Sequence, residues 1–148
     1  MGLTIVLDTC VLIAFSRQDD PHHRRAMEVL AAPNAEFVVN PVTMAEYLIK
    51  PAQLDRDIQA DMDRLCRKAS IRVVSQAELE AETPWPVTLA GVRAATGLKM
   101  PDTIVLATAK LLGATVATFD ETLRKAADKQ GCLLNWYTTR DLNPEPAD

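Results

Sequence analysis

Short, almost uninterrupted apolar runs alternate along this chain with longer stretches in which apolar residues recur at helical spacing. The runs cover residues 3–7, 37–39, 71–74, 114–118 and 133–137, the first four rich in Val, Ile and Thr. Runs of this length suit strands covered on both faces, and strands separated by helices imply right-handed crossovers and a parallel sheet. The pattern therefore predicts an α/β fold: a three-layer α/β/α sandwich around a central parallel sheet of about five strands.

The segments between the runs carry helix signals. A helix over 21–32 follows Asp19-Asp20 and stops at Pro33, and Asn40-Pro41 supplies an N-cap and first-turn proline for a helix ending before Pro51. From Leu54 onward, Ile58, Met62, Leu65, Cys66 and Ala69 continue one apolar stripe, with Asp, Arg and Lys opposite. Thr83-Pro84-Trp85-Pro86 interrupts the chain. A helix over 87–96 then ends at Gly97, and Pro101 opens another over 102–112, closed by Gly113. With neither repeats nor low-complexity tracts, 1–142 reads as one domain and 143–148 as a frayed tail.

Composition narrows the class. With 148 residues, 48% of them hydrophobic, the chain can build a core without a disulfide or structural metal. Cys10, Cys66 and Cys132 are far apart and lack zinc-ligand spacing, so they read as buried small hydrophobes of a reducing compartment. The N-terminus has no basic region and meets Asp8 too early for a signal peptide, and no apolar run is long enough for a membrane helix. A soluble, cytoplasmic protein with no membrane association is expected. The formal net charge of −4 argues against gripping nucleic acid through a bulk basic surface.

In an open parallel sheet, ligands bind outside the carboxyl ends of the strands where strand order reverses. The first run ends in Asp8 and the fourth in Thr118-Phe119-Asp120. In a 3-2-1-4-5 order these strands are central neighbours, and their aspartates face one crevice. Glu46, in the helix after the second strand, falls about 40° from Val42 and about 60° from Ile49 around the helix. That places it at the border of an expected packing stripe formed by Val42, Ala45 and Ile49. Asp102 stands in the first turn of an apolar helix whose N-terminus can point to the same end of the sheet.

Taken singly, each acid has a structural role to fill. Asp8 and Asp120 can cap helices, Asp102 can complement a helix dipole, and Glu46 can pair with Lys50 at i+4. Taken together, four carboxylates around one crevice raise one another's pKa and call for a counter-charge, for which a hard divalent cation is the natural choice.

These residues resemble the PIN-domain ribonucleases, in particular the small VapC-type toxins of type II toxin–antitoxin pairs. The matching segments are Val6-Leu7-Asp8-Thr9, the stretch from Pro41 to Glu46-Tyr47, the run Gly97-Leu98-Lys99-Met100-Pro101-Asp102 entering an Ala/Thr-rich helix, and Thr118-Phe119-Asp120. Cys10 departs from the Asn or Ser common in relatives, which alters a hydrogen bond behind the acids without removing one. Phe119 replaces a common small polar residue at the crevice lip.

The resemblance implies a Mg²⁺- or Mn²⁺-dependent endoribonuclease. Asp8, Glu46, Asp102 and Asp120 would serve as both catalytic and metal-binding residues, and Thr9 or Thr118 would orient a carboxylate or water. It also implies an RNA substrate, 5′-phosphate and 3′-hydroxyl products, a small antitoxin partner that blocks the crevice, and a homodimer. The alternative is a PIN-like RNA-binding or protein-interaction module without turnover.

Other phosphate chemistries fit less well. A haloacid-dehalogenase-type site needs a second aspartate where Cys10 stands, and a cysteine phosphatase needs an arginine closer to Cys10 than Arg17. A dinucleotide site needs a glycine-rich turn that residues 8–13 lack. His22-His23 reads as a solvated surface pair, because neighbouring helical residues diverge by about 100°. Trp85, Trp136, Tyr47 and Tyr137 are expected in the core or an interface. Arg17, Arg24, Arg25, Lys50, Arg93 and Lys99 are candidates for RNA contact, with solvated surface charge as the simpler role. Without the four crevice acids, the 20 acidic residues fall to the same number as the 16 basic ones. The negative balance therefore equals the proposed site.

Overall fold

The computed structural model describes residues 2–134. Four parallel strands form its sheet: β1 (Leu3–Leu7), β2 (Ala35–Val39), β3 (Ile71–Val73) and β4 (Thr115–Ala117), in the order β3-β2-β1-β4. Strand order reverses at β1, which pairs with β2 on one side and β4 on the other. The expected fifth strand begins at Leu133, which forms a single parallel bridge to Val116; residues 135–137 lie outside the described residues, as do Trp136, Tyr137 and the tail.

Alternation along the strands builds two cores. Ile5, Leu7, Phe37, Val39 and Ala117 face one way, packing on α1 (Thr9–Ser16), α2 (His23–Leu30), α3 (Pro41–Gln53) and α4 (Ile58–Ala69). Val6, Val38 and Val116 face the other way. They are covered by α5 (Gln76–Leu79), α7 (Met100–Leu112) and α8 (Glu121–Lys129), with α6 (Trp85–Thr96) packed outside α7. A strand exposes alternate side chains to opposite faces, so a sheet buried on both sides needs the continuous apolar runs seen here. This is the expected three-layer sandwich.

Several boundaries differ from the sequence expectation. Helix α3 runs through Pro51 to Gln53 instead of stopping before it. Pro51 forfeits one intrahelical donor, but it stands in the last turn, where the Lys50 and Pro51 carbonyls are taken up by the Leu54 and Arg56 amides. Leu54 is consequently the C-cap of α3 and 60% exposed, so the α4 stripe starts at Ile58 behind the Asp57 cap. Helix α6 begins two residues early, at Trp85, because Pro86 suits a first turn. Pro101 likewise lies within the first turn of α7 rather than before it. Trp85 is only partly buried against the second core, and Tyr47 packs against the first.

Candidate functional site

The carboxyl ends of β1 and β4 place Asp8 and Asp120 beside each other, each as the N-cap of the next helix. Asp8 is nearly buried, at 8% exposure, and accepts three hydrogen bonds. The Thr9 amide donates to its Oδ1 at 2.8 Å, while Thr118 Oγ1 donates to Oδ2 at 2.7 Å and Cys10 Sγ to Oδ2 at 3.3 Å. Thr118 also accepts from the Asp120 amide at 3.0 Å, and Asp120 Oδ1 accepts from the Leu123 amide at 2.9 Å. Capping is thus a real role of both aspartates, and it leaves their carboxylates oriented by fixed donors.

Glu46 joins from α3. Thr9 Oγ1 donates to its Oε1 at 3.3 Å, so an unbroken path runs from Glu46 through Thr9, Asp8 and Thr118 to Asp120. No ion pair to Lys50 forms among the described residues, contrary to the simple helix-charge role. The expected packing stripe is also corrected. Val42 and Ile49 are 46% and 53% exposed, and α3 packs instead through Thr43, Met44, Tyr47 and Leu48. These residues face the α1–α4 side, which Val42, Ala45 and Ile49 cannot reach from the opposite arc of the helix. Glu46 borders the buried arc beside Thr43.

Asp102 enters from the first turn of α7 and is partly buried, without a hydrogen bond or ion pair among the described residues. Farther along the same helix, a buried bond from Asn40 Nδ2 to Thr108 Oγ1, 3.0 Å, ties the end of β2 to the middle of α7. Burial first, then the charges of Asp120, Asp8 and Glu46, push its carboxyl up to about 6, against a smaller opposing effect of Lys99. All four acids therefore feel one another at Asp102. Glu46 is raised as well, by burial and by Asp8, with the Thr9 hydrogen bond opposing. No described Lys or Arg forms an ion pair with any of the four.

Among the described residues, no three of these side chains close into a ready-made metal cage. The donor set is nonetheless all oxygen, negatively charged and uncompensated, which is what hard divalent cations take.

Cys10 is part of this network and not a plain buried hydrophobe. Its sulfur lies 3.6 Å from Thr118 Oγ1 and accepts from the Phe119 amide at 3.4 Å. Burial, then the Asp8 charge, pushes its thiol up to about 12, so it stays protonated and donates. Phe119 forms the lip, with the exposed His22 ring stacked on it at 4.3 Å. His23 is not a solvated residue: its Nδ1 is 2.7 Å from the Ala14 carbonyl and it is partly buried. Of the basic candidates, Arg17 pairs with Asp19, Arg24 with Glu28, and Arg93 donates to the Leu98 carbonyl. Sequence reading missed the Arg56–Asp61–Arg64 cluster, with bonds of 2.6 to 2.8 Å, although the i,i+3 spacing of Asp61 and Arg64 was a visible signal.

The fold is thus a three-layer sandwich on a β3-β2-β1-β4 parallel sheet, with Asp8 and Asp120 after its two strands β1 and β4 and Glu46 and Asp102 brought beside them by α3 and α7. Residues 5–129 match the PIN domain family model, and the chain belongs to that family. Solved structures share the fold. A toxin–antitoxin complex chain from Klebsiella pneumoniae is 23% identical, covering 78% of this chain and 86% of that one, with a TM-score of 0.57. A chain of VapBC2 from Rickettsia felis, bound to a DNA fragment from its promoter, is 14% identical over 84% and 93%, TM-score 0.60. A chain of FitAcB from Neisseria gonorrhoeae is 20% identical over 84% and 93%, TM-score 0.56. No curated protein matches the chain. Among the described residues, no helix is long and apolar enough to cross a membrane.

Proposed function

We propose that this chain is a metal-dependent endoribonuclease, the toxin of a VapC-type toxin–antitoxin pair that inhibits translation in the cytoplasm. The observation that carries the reading is the mutual charge of Asp8, Glu46, Asp102 and Asp120, felt together at Asp102, with no Lys or Arg ion-paired to any of the four among the described residues. These four side chains would hold Mg²⁺ or Mn²⁺. Bound there, such a cation would supply Lewis-acid activation of a water and stabilisation of charge at the scissile phosphodiester.

The chain's own residues provide orientation. Thr118 and Thr9 hold the two oxygens of Asp8 in fixed directions, and Thr9 ties Glu46 to the same frame. Cys10, protonated near neutral pH, fills out the donors on Asp8 and has no nucleophilic role. Hydrolysis of the P–O3′ bond leaves a 5′-phosphate and a 3′-hydroxyl.

Partners follow the same reading. A small antitoxin would cover the crevice, since the similar Klebsiella pneumoniae chain comes from a toxin–antitoxin complex; a second copy of this chain would complete a homodimer. Exposed Val42 and Ile49 flank Glu46, and exposed Met100 precedes Asp102, giving a covering protein apolar contact beside the acids.

The test is incubation of the purified protein with a panel of structured RNAs, with a DNA control, in Mg²⁺ and in EDTA. Cleavage of RNA in Mg²⁺ that stops in EDTA and leaves 5′-phosphate ends supports the reading. Cleavage indifferent to EDTA overturns it, and binding without cleavage in either buffer points to the non-enzymatic module.

A further inference from the structure

A groove of about 510 Å³ lies beside the acids, between the C-terminal end of α1, the second half of α3, and α4. Glu46 belongs to both: it lines the groove and takes the Thr9 hydroxyl in the acidic site. Five cations, Arg17, Lys50, Arg56, Arg64 and Lys68, line the groove against only two acids, Glu46 and Asp61. In a chain of net charge −4 this is a local reversal of sign.

Asp61 is 7% exposed and is gripped by Arg56 through two bonds and by Arg64 through one. The hydrogen bonds from these arginines hold its carboxyl well below the usual carboxylate range. It therefore works as an anchor that fixes two half-exposed guanidinium groups on the groove wall. Lys50 and Lys68 have no carboxylate partner among the described residues, and the Lys68 ammonium stands 5.7 Å above the Phe15 ring. Tyr47 also lines the groove, its hydroxyl 2.8 Å from Ser16 Oγ, so the aromatic ring is pinned in place.

We propose that this groove seats single-stranded RNA adjacent to the scissile phosphate. Lys50 and Lys68 contact the backbone, and Tyr47 offers a stacking face for a base. The volume falls within the range of about 300 to 1,000 Å³ typical of small-ligand sites. Cations along a groove with an aromatic platform are the general recipe for single-strand binding. The proposal rests on the nuclease reading for its choice of polyanion, and the continuity through Glu46 gives the strand a path to the acids. It also places the missing basic surface: the positive field is confined to one groove and is diluted in the whole-chain charge.

The test separates binding from cleavage. A fluorescent oligouridylate of about ten nucleotides is titrated with protein in EDTA by anisotropy over a salt series, and Mg²⁺-dependent cleavage is measured independently. The double variant Lys50→Glu with Lys68→Glu, both exposed positions, is expected to bind at least tenfold more weakly. Its log–log salt slope should be shallower by about 0.7 for each lost phosphate contact. Tyr47→Leu should bind several-fold more weakly, and Tyr47→Phe should restore binding. A far-side control, Lys110→Glu with Lys129→Glu, should bind like the parent protein.

Unchanged binding in the groove variant, or an equal loss in the far-side control, overturns the proposal. Polyglutamate that matches the oligonucleotide's affinity and shows the same variant dependence also overturns it, in favour of an acidic protein partner. If no RNA is cut in any buffer while the groove variants still lose RNA binding, the nuclease reading fails and the groove assignment stands.

Discussion

Asp102 is the residue at which the site's electrostatics are most visible. Its carboxyl, pushed up to about 6 by burial and three neighbouring acids, binds its proton more tightly in the folded chain than in the unfolded one. Stability in EDTA should therefore fall as pH rises from the ordinary 3.8 through about 6, with the full loss present above that. Asp102→Asn removes the charge. In EDTA at pH 7.5 it is expected to stabilise the fold by about 1 kcal/mol, after allowing for solvent screening of a partly exposed group. Thermal melts should show a rise of about 2–4 °C, fading toward pH 4. Mg²⁺ should stabilise the parent protein and not the variant; an unchanged EDTA melt would mean that the four acids are not coupled.

Cys10 gives a second prediction at this scale. With its thiol pushed up to about 12 it should resist alkylation at pH 8, and Cys10→Ser, which keeps a donor toward Asp8, should retain RNA cleavage within a few-fold. Loss of activity on that change would make the sulfur itself part of the chemistry.

At the scale of elements, the Thr118 hydroxyl helps to tie the ends of β1 and β4, beside the Asp8 amide bond to the Ala117 carbonyl and the Cys10 sulfur between Asp8 and the Phe119 amide. Thr118 is fully buried, donates to Asp8 and accepts from the Asp120 amide. Thr118→Val leaves both groups short of a partner, at a cost of about 1–3 kcal/mol. Denaturant unfolding should register that loss, and cleavage should fall more than stability explains because the Asp8 direction is released.

Four of the five expected strands and the Gly97-to-Asp102 entry into α7 were legible because continuous apolar runs and a Pro/Gly-punctuated helix are local signals. The packing face of α3 was not. Val42, Ala45 and Ile49 make a regular apolar stripe, but the α1–α4 core selects Met44 and Leu48, and periodicity alone cannot say which of two arcs meets the sheet. Thr9 and Thr118 were legible as orienting groups, while the Thr9 bond to Glu46 depends on two helices meeting and had no sequence signal.

Across the whole molecule, the arrangement is one of separated charge. Four acids gather where strand order reverses, and cations line the adjoining groove, so a chain with net charge −4 carries a negative and a positive region side by side, the proposed metal centre and the proposed polyanion path. The core of this plan is the claim that Asp8, Glu46, Asp102 and Asp120 form one metal-dependent centre that cuts RNA.

Single-turnover cleavage of one fixed RNA tests that claim most directly, with the parent protein and Asp8→Asn, Glu46→Gln, Asp102→Asn and Asp120→Asn compared in Mg²⁺ and in EDTA. The account predicts Mg²⁺-dependent cleavage by the parent protein and a fall of at least about 100-fold in each variant, on the order expected when a group that stabilises the transition state is removed. Parent-level cleavage by Asp8→Asn or Asp102→Asn, or cleavage that persists in EDTA, would contradict it.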